Sequence, residues 1–278
     1  TKPSSILALT FTESAAQNMR LRLASLIGPD AYYVQISTFH SFCAQVISNH
    51  LEYFPLNPAS QPITELERFE LVRSIVEELP LESVKPLNSP LFHVRSLLTN
   101  ISTFRREGAT TDAFQELVRS QCVGPTTITS KTLALKTAKR QQQLTEQGTV
   151  YEAYEQRLRS AGRYDFDDML ALTVAVLSRE EVLLQEYQEQ YLYLLVDEYQ
   201  DTNTVQNNVT RLLASFWGEQ ANIFAVGDPH QSIYRFQGAS LENITQFMQW
   251  YPRTALITLS EGYRCPQELY ELAHTLIK

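Results

Sequence analysis

The chain has 278 residues and a formal net charge of −8, and 44% of its residues are hydrophobic, 10% aromatic and 19% charged. This composition indicates a folded protein of one large or two smaller domains, and it excludes a disordered chain, a collagen-like repeat and a uniformly basic nucleic-acid-binding surface. No apolar run approaches the roughly 20 residues that span a bilayer, so we expect no membrane association. Cys43, Cys122 and Cys265 are far apart, which argues against a disulfide framework or a zinc site and indicates a reducing, cytoplasmic location.

The N-terminal part of the chain alternates short apolar runs with amphipathic stretches. Residues 6–11 have the length of a buried strand, and Thr12 then stands where a helix N-cap is expected. This helix is predicted to end at Gly28. Residues 33–37 predict a second strand, which leads into a helix that carries Cys43 on its apolar face. Such alternation is typical of a parallel sheet with helical crossovers.

The middle of the chain lacks this alternation and has helical spacing instead. Thr64 and Glu67 form a capping-box pattern at the start of one of its helices. We therefore predict an all-helical insertion over residues 43–162, which interrupts an α/β domain made of residues 1–42 and 163–260.

Alternation returns in the C-terminal part of the chain. Strands are predicted over residues 191–196, 222–226 and 254–259, and a helix over residues 205–216 ends before Gly218. The predicted fold class is therefore α/β with a mostly parallel sheet.

Two adjacent acids, Asp197 and Glu198, follow the strand predicted at 191–196. This position is the carboxyl edge of a parallel sheet, where α/β folds bind ligands. A first acid there can hold Mg²⁺, and a second can act as a general base on the water that attacks a phosphate. On the pattern alone, a polar turn after a buried strand explains the pair equally well.

The strand predicted at 222–226 leads into a loop that contains Gln231, Tyr234 and Phe236. Gln231 can donate to a phosphate oxygen and accept from water. The two rings are two residues apart, so in an extended chain they project to the same side and could stack on successive bases of a single strand. Burial in the core is the alternative, which Arg235 between the rings disfavours.

Two clusters of charged residues are explained by ordinary helix structure rather than by a binding site. The aspartates within residues 164–168 are expected at a helix N-terminus, which favours acids, rather than in a metal site. The basic run within residues 131–140 predicts a solvated helix face, with contact to a nucleic-acid backbone as the alternative.

Several segments together resemble the motifs of superfamily 1 DNA helicases of the UvrD/Rep type. They are residues 9–19 (LTFTESAAQNM, motif Ia), 38–41 (TFHS, motif Ib), 164–168 (YDFDD, the return from the helical insertion), 196–203 (VDEYQDTN, motif II), 226–239 (VGDPHQSIYRFQGA, motif III) and 262–266 (GYRCP, motif IV). The matches run in the family's order across most of the chain, which makes the resemblance very specific.

The resemblance implies a RecA-like P-loop NTPase domain, called 1A, with a helical inserted subdomain, 1B, and residues 261–278 as the start of domain 2A. It implies an ATP-dependent DNA helicase or translocase with ATP and Mg²⁺ as cofactors. It also implies single-stranded DNA, or DNA with single-stranded tails, as the partner, and repair or recombination proteins as further candidates.

The resemblance also assigns roles to matching residues. Asp197 would bind Mg²⁺, Glu198 would be the catalytic base, and Gln231 would sense the γ-phosphate. Tyr263 would stack on adenine, and Arg264 would contact the γ-phosphate as an arginine finger does. The residues expected along the path of the DNA strand are Thr10, Phe11, Thr38, His40, Tyr234 and Phe236.

The sequence departs from the family pattern in places. Glu13 and Ser14 stand where the family usually has Asn and Lys, which removes a positive charge beside the expected DNA path. Gly262 replaces a common Asn, and Phe236 stands where many relatives have Trp. The segment His-Ser-Phe-Cys43 also resembles the motor subunits of RecB/AddA-type helicase–nucleases, so the branch within the superfamily stays open.

One essential motif is absent, because none of the glycines is followed by lysine and a Gly-x-x-x-x-Gly-Lys phosphate-binding loop cannot be formed. We therefore expect the 278-residue chain alone neither to hydrolyse ATP nor to unwind DNA. The alternatives are a nucleic-acid-binding or complex-forming module without ATPase activity and a motor subunit of a RecB/AddA-type helicase–nuclease.

Overall fold

The computed structural model describes residues 1–86, 88–122, 131–228, 231, 242–259, 261–263 and 265–277. Its strands are β1 (Ile6–Thr10), β2 (Gln35–Thr38), β3 (Gln61–Pro62), β4 (Arg163–Tyr164), β5 (Tyr193–Val196) and β6 (Ile223–Ala225). Its helices are α1 (Glu13–Ile27), α2 (Phe39–Asn49), α3 (Glu65–Glu78), α4 (Val94–Arg106), α5 (Thr111–Cys122), α6 (Lys131–Ser160), α7 (Phe166–Arg179), α8 (Glu181–Gln190), α9 (Thr204–Ala214), α10 (Glu242–Trp250) and α11 (Gln267–Ile277).

The main sheet has four strands in the order β2-β1-β5-β6, and every neighbouring pair is parallel. Leu7 of β1 pairs with Gln35 on one side and with Leu194 on the other. Parallel pairing brings the carboxyl ends of the four strands to one edge of the sheet. The predicted α/β class is confirmed.

Strand β1 is buried on both faces, as expected for a central parallel strand. Leu7 and Leu9 belong to the large core that the sheet forms with α2, α7, α8 and α9. Ala8 faces the other way and packs in a smaller cluster with Ala16 of α1. Helices packed on both faces therefore hold the sheet in place, and with it the carboxyl edge at which the candidate site lies.

Helices α3, α4 and α6 enclose a second, separate core that includes Val72, Ile101 and Tyr154. Strands β3 and β4 pair in parallel, so the two ends of this helical region lie side by side. The predicted capping box is confirmed: Thr64 Oγ1 accepts from the Glu67 N–H at 3.3 Å, and the Glu67 carboxylate accepts from the Thr64 N–H at 2.8 Å.

A buried ionic cluster joins the helical region to the start of α7. The Arg105 guanidinium lies 3.0 Å from Asp165 and 2.8 Å from Asp168, and Arg68 lies 3.1 Å from Asp165. The Tyr154 hydroxyl donates to Asp165 at 2.8 Å. Burial raises the pKa of Asp168 to about 6, an effect that the charge of Arg105 opposes. These contacts give the aspartates a structural role.

The aspartates also behave as predicted at a helix N-terminus, because the Asp168 carboxylate accepts from the Asp165 N–H at 2.8 Å in the first turn of α7. Within the described ranges, no group of three or more His, Cys, Asp or Glu residues is arranged to hold a metal ion. Nor is any helix of the described part long and apolar enough to cross a membrane.

The predicted strand over residues 254–259 is wrong, since this segment has no regular secondary structure where it is described. Its apolar side chains Leu256, Ile257 and Leu259 are all exposed. An apolar run becomes a strand only where a neighbour accepts its backbone hydrogen bonds, and in the described sheet β6 pairs with β5 alone. Hydrophobicity alone therefore misled the prediction.

Candidate functional site

The site is built where β5 ends at the carboxyl edge of the sheet. The Asp197 N–H donates to the Leu9 carbonyl at 2.9 Å, which fixes the first acid beside the end of β1. Glu198 has φ of 51°, and it is the one non-glycine residue of the described part with a positive φ. The next N–H, of Tyr199, donates to the Val226 carbonyl at 2.8 Å. The chain therefore turns sharply at the second acid and lies against the end of β6.

The two acids are close enough to affect each other. Burial raises the pKa of Asp197 above its ordinary value, and the negative charge of Glu198 raises it further. Glu198 itself is exposed. A half-buried acid next to an exposed one is a place where a bound cation would relieve the repulsion.

The structure brings Glu198 and Gln231 into one hydrogen-bonded series. The Gln200 side-chain amide donates to Glu198 Oε2 at 2.9 Å and accepts from the Asp228 N–H at 3.0 Å. The Gln231 amide in turn donates to Asp228 Oδ2 at 2.9 Å. The residues that follow β5 and those that follow β6 thus form a single polar cluster.

Three of the other predicted residues, Tyr234, Phe236 and Arg264, lie outside the described residues. Tyr263 is 91% exposed, and its hydroxyl donates to the carboxylate of Glu261. The roles assigned to these four residues stay predictions.

At the same edge of the sheet, where β1 and β2 end, lies a cleft of about 430 Å³ whose lining includes Phe11, Thr38 and His40. Thr10, in contrast, is fully buried in β1 and does not line it. Among the residues predicted along the DNA path, those three are therefore brought together in one cleft, where Phe11 and His40 are partly exposed and Thr38 is buried. Thr10 lies beside Thr38 in the sheet, where the two residues pair in register.

Sequence reasoning missed Phe166, which stacks on His40 with ring centroids 4.0 Å apart and planes inclined by 12°. Phe166 is 51% exposed although the aspartates on either side of it are buried. The segment Tyr-Asp-Phe-Asp-Asp did contain a sign of this exposed ring. Phe166 is the first residue of helix α7, between two acidic residues, so it was not expected on the face of the helix that packs against the core. Burial lowers the pKa of His40 to about 4, so the stack presents a neutral imidazole at pH 7.

The cleft also contains a negative charge that sequence reasoning had noted. The Glu13 carboxylate accepts hydrogen bonds from the hydroxyls of Thr38 and Ser41, and these bonds lower the pKa of Glu13. The positive charge of Arg106, which also lines the cleft, is paired with Asp167 at 3.1 Å. The cleft is consequently aromatic and polar rather than strongly basic.

Comparison with known proteins agrees with this arrangement. Residues 1–252 match the family model described as UvrD/REP helicase N-terminal domain. The chain is 30% identical to the ATP-dependent DNA helicase PcrA of Bacillus subtilis (strain 168) over an alignment of 279 residues. That alignment covers 99% of this chain and 33% of the relative. The chain is likewise 30% identical to the ATP-dependent DNA helicase PcrA of Staphylococcus aureus (strain Mu50 / ATCC 700699), covering 99% of this chain and 34% of that protein.

The chain thus spans about a third of the length of these relatives. The order of the sequence motifs predicted the family, and the family model covers residues 1–252 of the chain. The chain belongs to the UvrD/REP helicase N-terminal domain family.

Proposed function

We propose that this chain is part of the motor of an ATP-dependent DNA helicase or translocase that moves on single-stranded DNA. The observation that carries the proposal is the hydrogen-bonded series from Glu198 to Gln231, because it joins a pair of acids suited to phosphate chemistry to a loop suited to nucleic acid. Residues 1–42 and 163–260 would form domain 1A, residues 43–162 subdomain 1B, and residues 261–278 the start of domain 2A.

In this proposal Asp197 holds Mg²⁺ and Glu198 acts as the general base. The fit of the cation rests on the donor set: the half-buried Asp197 is held beside the end of β1 by its N–H bond to the Leu9 carbonyl, the exposed Glu198 follows it, and carboxylate oxygens are the ligands that Mg²⁺ prefers. Bound Mg²⁺ would supply charge neutralisation at the phosphates of ATP. Gln231 would contact the γ-phosphate, with Tyr263 stacked on adenine and Arg264 as the arginine finger.

The cleft is the proposed path of the DNA strand. The exposed ring of Phe166, stacked on the neutral His40, offers an aromatic face of the kind that binds unpaired bases without sequence preference. Phe11 and Thr38 line the same cleft. Glu13 would repel phosphates at close range, so the bases rather than the backbone would face this part of the surface.

One sequence observation favours a second candidate function. The chain lacks a Gly-Lys phosphate-binding loop, which fits a nucleic-acid-binding or complex-forming module without ATPase activity. The presence of Asp197, Glu198 and Gln231 in one cluster favours the motor, since a binding module has no use for a general base. A Gly-Lys-Thr segment encoded shortly upstream of Thr1 would decide for the motor.

Phosphate release from ATP, measured with Mg²⁺ and oligo(dT), tests the proposal on the 278-residue chain. We expect no turnover above background but measurable binding of oligo(dT), because the chain has the DNA cleft and lacks the loop that neutralises the phosphates. Glu198→Gln is the control, since turnover that this variant retains belongs to a contaminant. Turnover lost in Glu198→Gln would refute the predicted inactivity, and failure to bind oligo(dT) would refute the proposed function.

A further inference from the structure

Arg106 is the one lysine or arginine among the described residues that line the cleft. It is the last residue of α4, so it comes from the helical region, whereas Phe11 and Thr38 lie where β1 and β2 end. Its neighbour Arg105 belongs to the buried ionic cluster. The two adjacent arginines of α4 therefore have different surroundings, and it is Arg106 that lines the cleft.

Asp167 holds one edge of the Arg106 guanidinium. The Nε–H of Arg106 donates to Asp167 Oδ1 at 3.1 Å. The Asp167 side chain is 5% exposed, whereas that of Arg106 is 30% exposed. Among the described residues, none accepts a hydrogen bond from Nη1 or Nη2 of Arg106. The N–H donors of these two nitrogens are therefore available to a ligand in the cleft.

The ligand group that suits such a guanidinium is a phosphate. Parallel N–H donors of an arginine match two oxygens of a phosphate, and hydrogen bonds between opposite charges are the stronger kind. Asp167 uses the donor at Nε and a phosphate would use those at Nη1 and Nη2, so both can be bound at once. Asp167 would keep the side chain in place while the free edge contacts the ligand.

The paired arginine lies close to the aromatic stack of the cleft. Phe166, whose ring stacks on His40, directly precedes Asp167 in α7. Burial is the largest influence on the pKa of His40, but the charge of Asp167 raises this pKa and the charge of Arg106 lowers it. The stack and the guanidinium are thus neighbours, as a base and a phosphate of one strand would require.

Other charges in the cleft make Arg106 more important. Ser14 stands where the family usually has a lysine, and Glu13 beside it is negative. Glu13 and Asp167 both line the cleft, so the described lining has two carboxylates and one guanidinium. A nucleic-acid strand in this cleft would therefore have a single cationic side chain of the described lining to contact.

We propose that Arg106 binds a backbone phosphate of the strand in the cleft through Nη1 and Nη2, and that Asp167 positions it. The helical region would then bind the strand directly and supply a cation that position 14 lacks. This inference rests on the proposed function, and it adds a contact that the sequence motifs do not contain.

The experiment measures the affinity for labelled oligo(dT) by fluorescence anisotropy over a range of NaCl concentrations. Each phosphate of a single strand that a protein cation neutralises adds about 0.7 to the slope of log affinity against log salt concentration. Arg106→Gln should make the slope shallower by about 0.7. At about 50 mM NaCl it should weaken binding about tenfold, the lower end for a hydrogen bond between charged groups.

Arg73→Gln is the matched control. Arg73 lies in α3 of the same helical region, its side chain is 42% exposed, and it is paired with Glu70 at 3.1 Å. It does not line the cleft. This variant removes one ion-paired arginine and the same unit of charge, and it should keep both the wild-type slope and the wild-type affinity.

Asp167→Asn separates contact with a phosphate from a purely structural ion pair. The asparagine oxygen can still accept from the Nε–H of Arg106, but the negative charge is gone. We expect this variant to keep the slope and to bind oligo(dT) at least as tightly as the wild-type chain. Should Arg106→Gln fail to fold because Asp167 is left unpaired, the double variant Arg106→Gln/Asp167→Asn replaces it, and its slope should again be shallower by about 0.7.

Two results would overturn the inference and leave the proposed function standing. One is a wild-type slope in the folded Arg106 variant, single or double, with oligo(dT) still bound. The other is an equal loss of affinity in Arg106→Gln and Asp167→Asn, which would show that the ion pair matters and not a phosphate contact. Failure of the wild-type chain to bind oligo(dT) refutes the proposed function, and the inference with it.

Discussion

Replacement of Arg105 by methionine is expected to lower the free energy of unfolding by about 3–5 kcal/mol, the cost of breaking a buried ion pair from one side. The Arg105 side chain is 3% exposed and lies 3.0 Å from Asp165, which is fully buried, and 2.8 Å from Asp168. Methionine fills part of the space but leaves two carboxylates without their main cation. Arg68 remains beside Asp165, so the loss falls mainly on Asp168.

Urea denaturation followed by circular dichroism measures this effect, and Arg159→Met provides the control. Arg159 pairs with Glu155 at 3.1 Å, and Glu155 also lies 4.0 Å from Arg105. The Arg159 side chain is 78% exposed, so its loss should cost no more than about 0.5 kcal/mol. Equal costs for the two variants would show that the ionic cluster does not hold the helical region to α7.

The second large effect is expected on nucleic-acid binding. Phe166→Ala should weaken the affinity for oligo(dT) by about 1–3 kcal/mol, or about 5- to 150-fold, because it removes the exposed ring on which a base would stack. Phe166 is not part of either core, so the variant should remain folded.

Fluorescence anisotropy of a labelled oligo(dT) measures the affinity, with Phe92→Ala as the matched control. Phe92 is also exposed and also contacts a histidine ring, that of His93, at 4.9 Å. It lies before α4 and does not line the cleft. If both variants bind as the wild-type chain does, the stack of Phe166 on His40 has no part in binding.

Local rules of the sequence account for much of the fold. Thr12 and Thr64 cap the helices that the pattern predicted, with hydrogen bonds to the N–H of Ala15 and of Glu67. Strand β1 was predictable because an apolar run of that length, followed by a capped helix, has few alternatives. The pair Asp197 and Glu198 was predictable for the same reason, as polar residues that end a buried strand.

Interactions between distant parts of the chain were not predictable in this way. Arg105 and Asp165 are both charged residues in helical or turn segments, and nothing local shows that folding buries them together. The run at 254–259 has strand composition but no strand partner in the described sheet. Gln200 appears in the sequence as one more polar residue of a motif, and only its hydrogen bonds to Glu198 and Asp228 reveal a connecting role.

The most direct test is amide hydrogen exchange of the 278-residue chain, with and without oligo(dT). It shows whether the cleft and the segments at the carboxyl ends of the main-sheet strands bind nucleic acid together. We predict slower exchange upon binding in the backbone of residues 10–14, 38–42, 164–168 and 225–231. Slower exchange confined to the basic run within residues 131–140, with these four segments unchanged, would contradict the account.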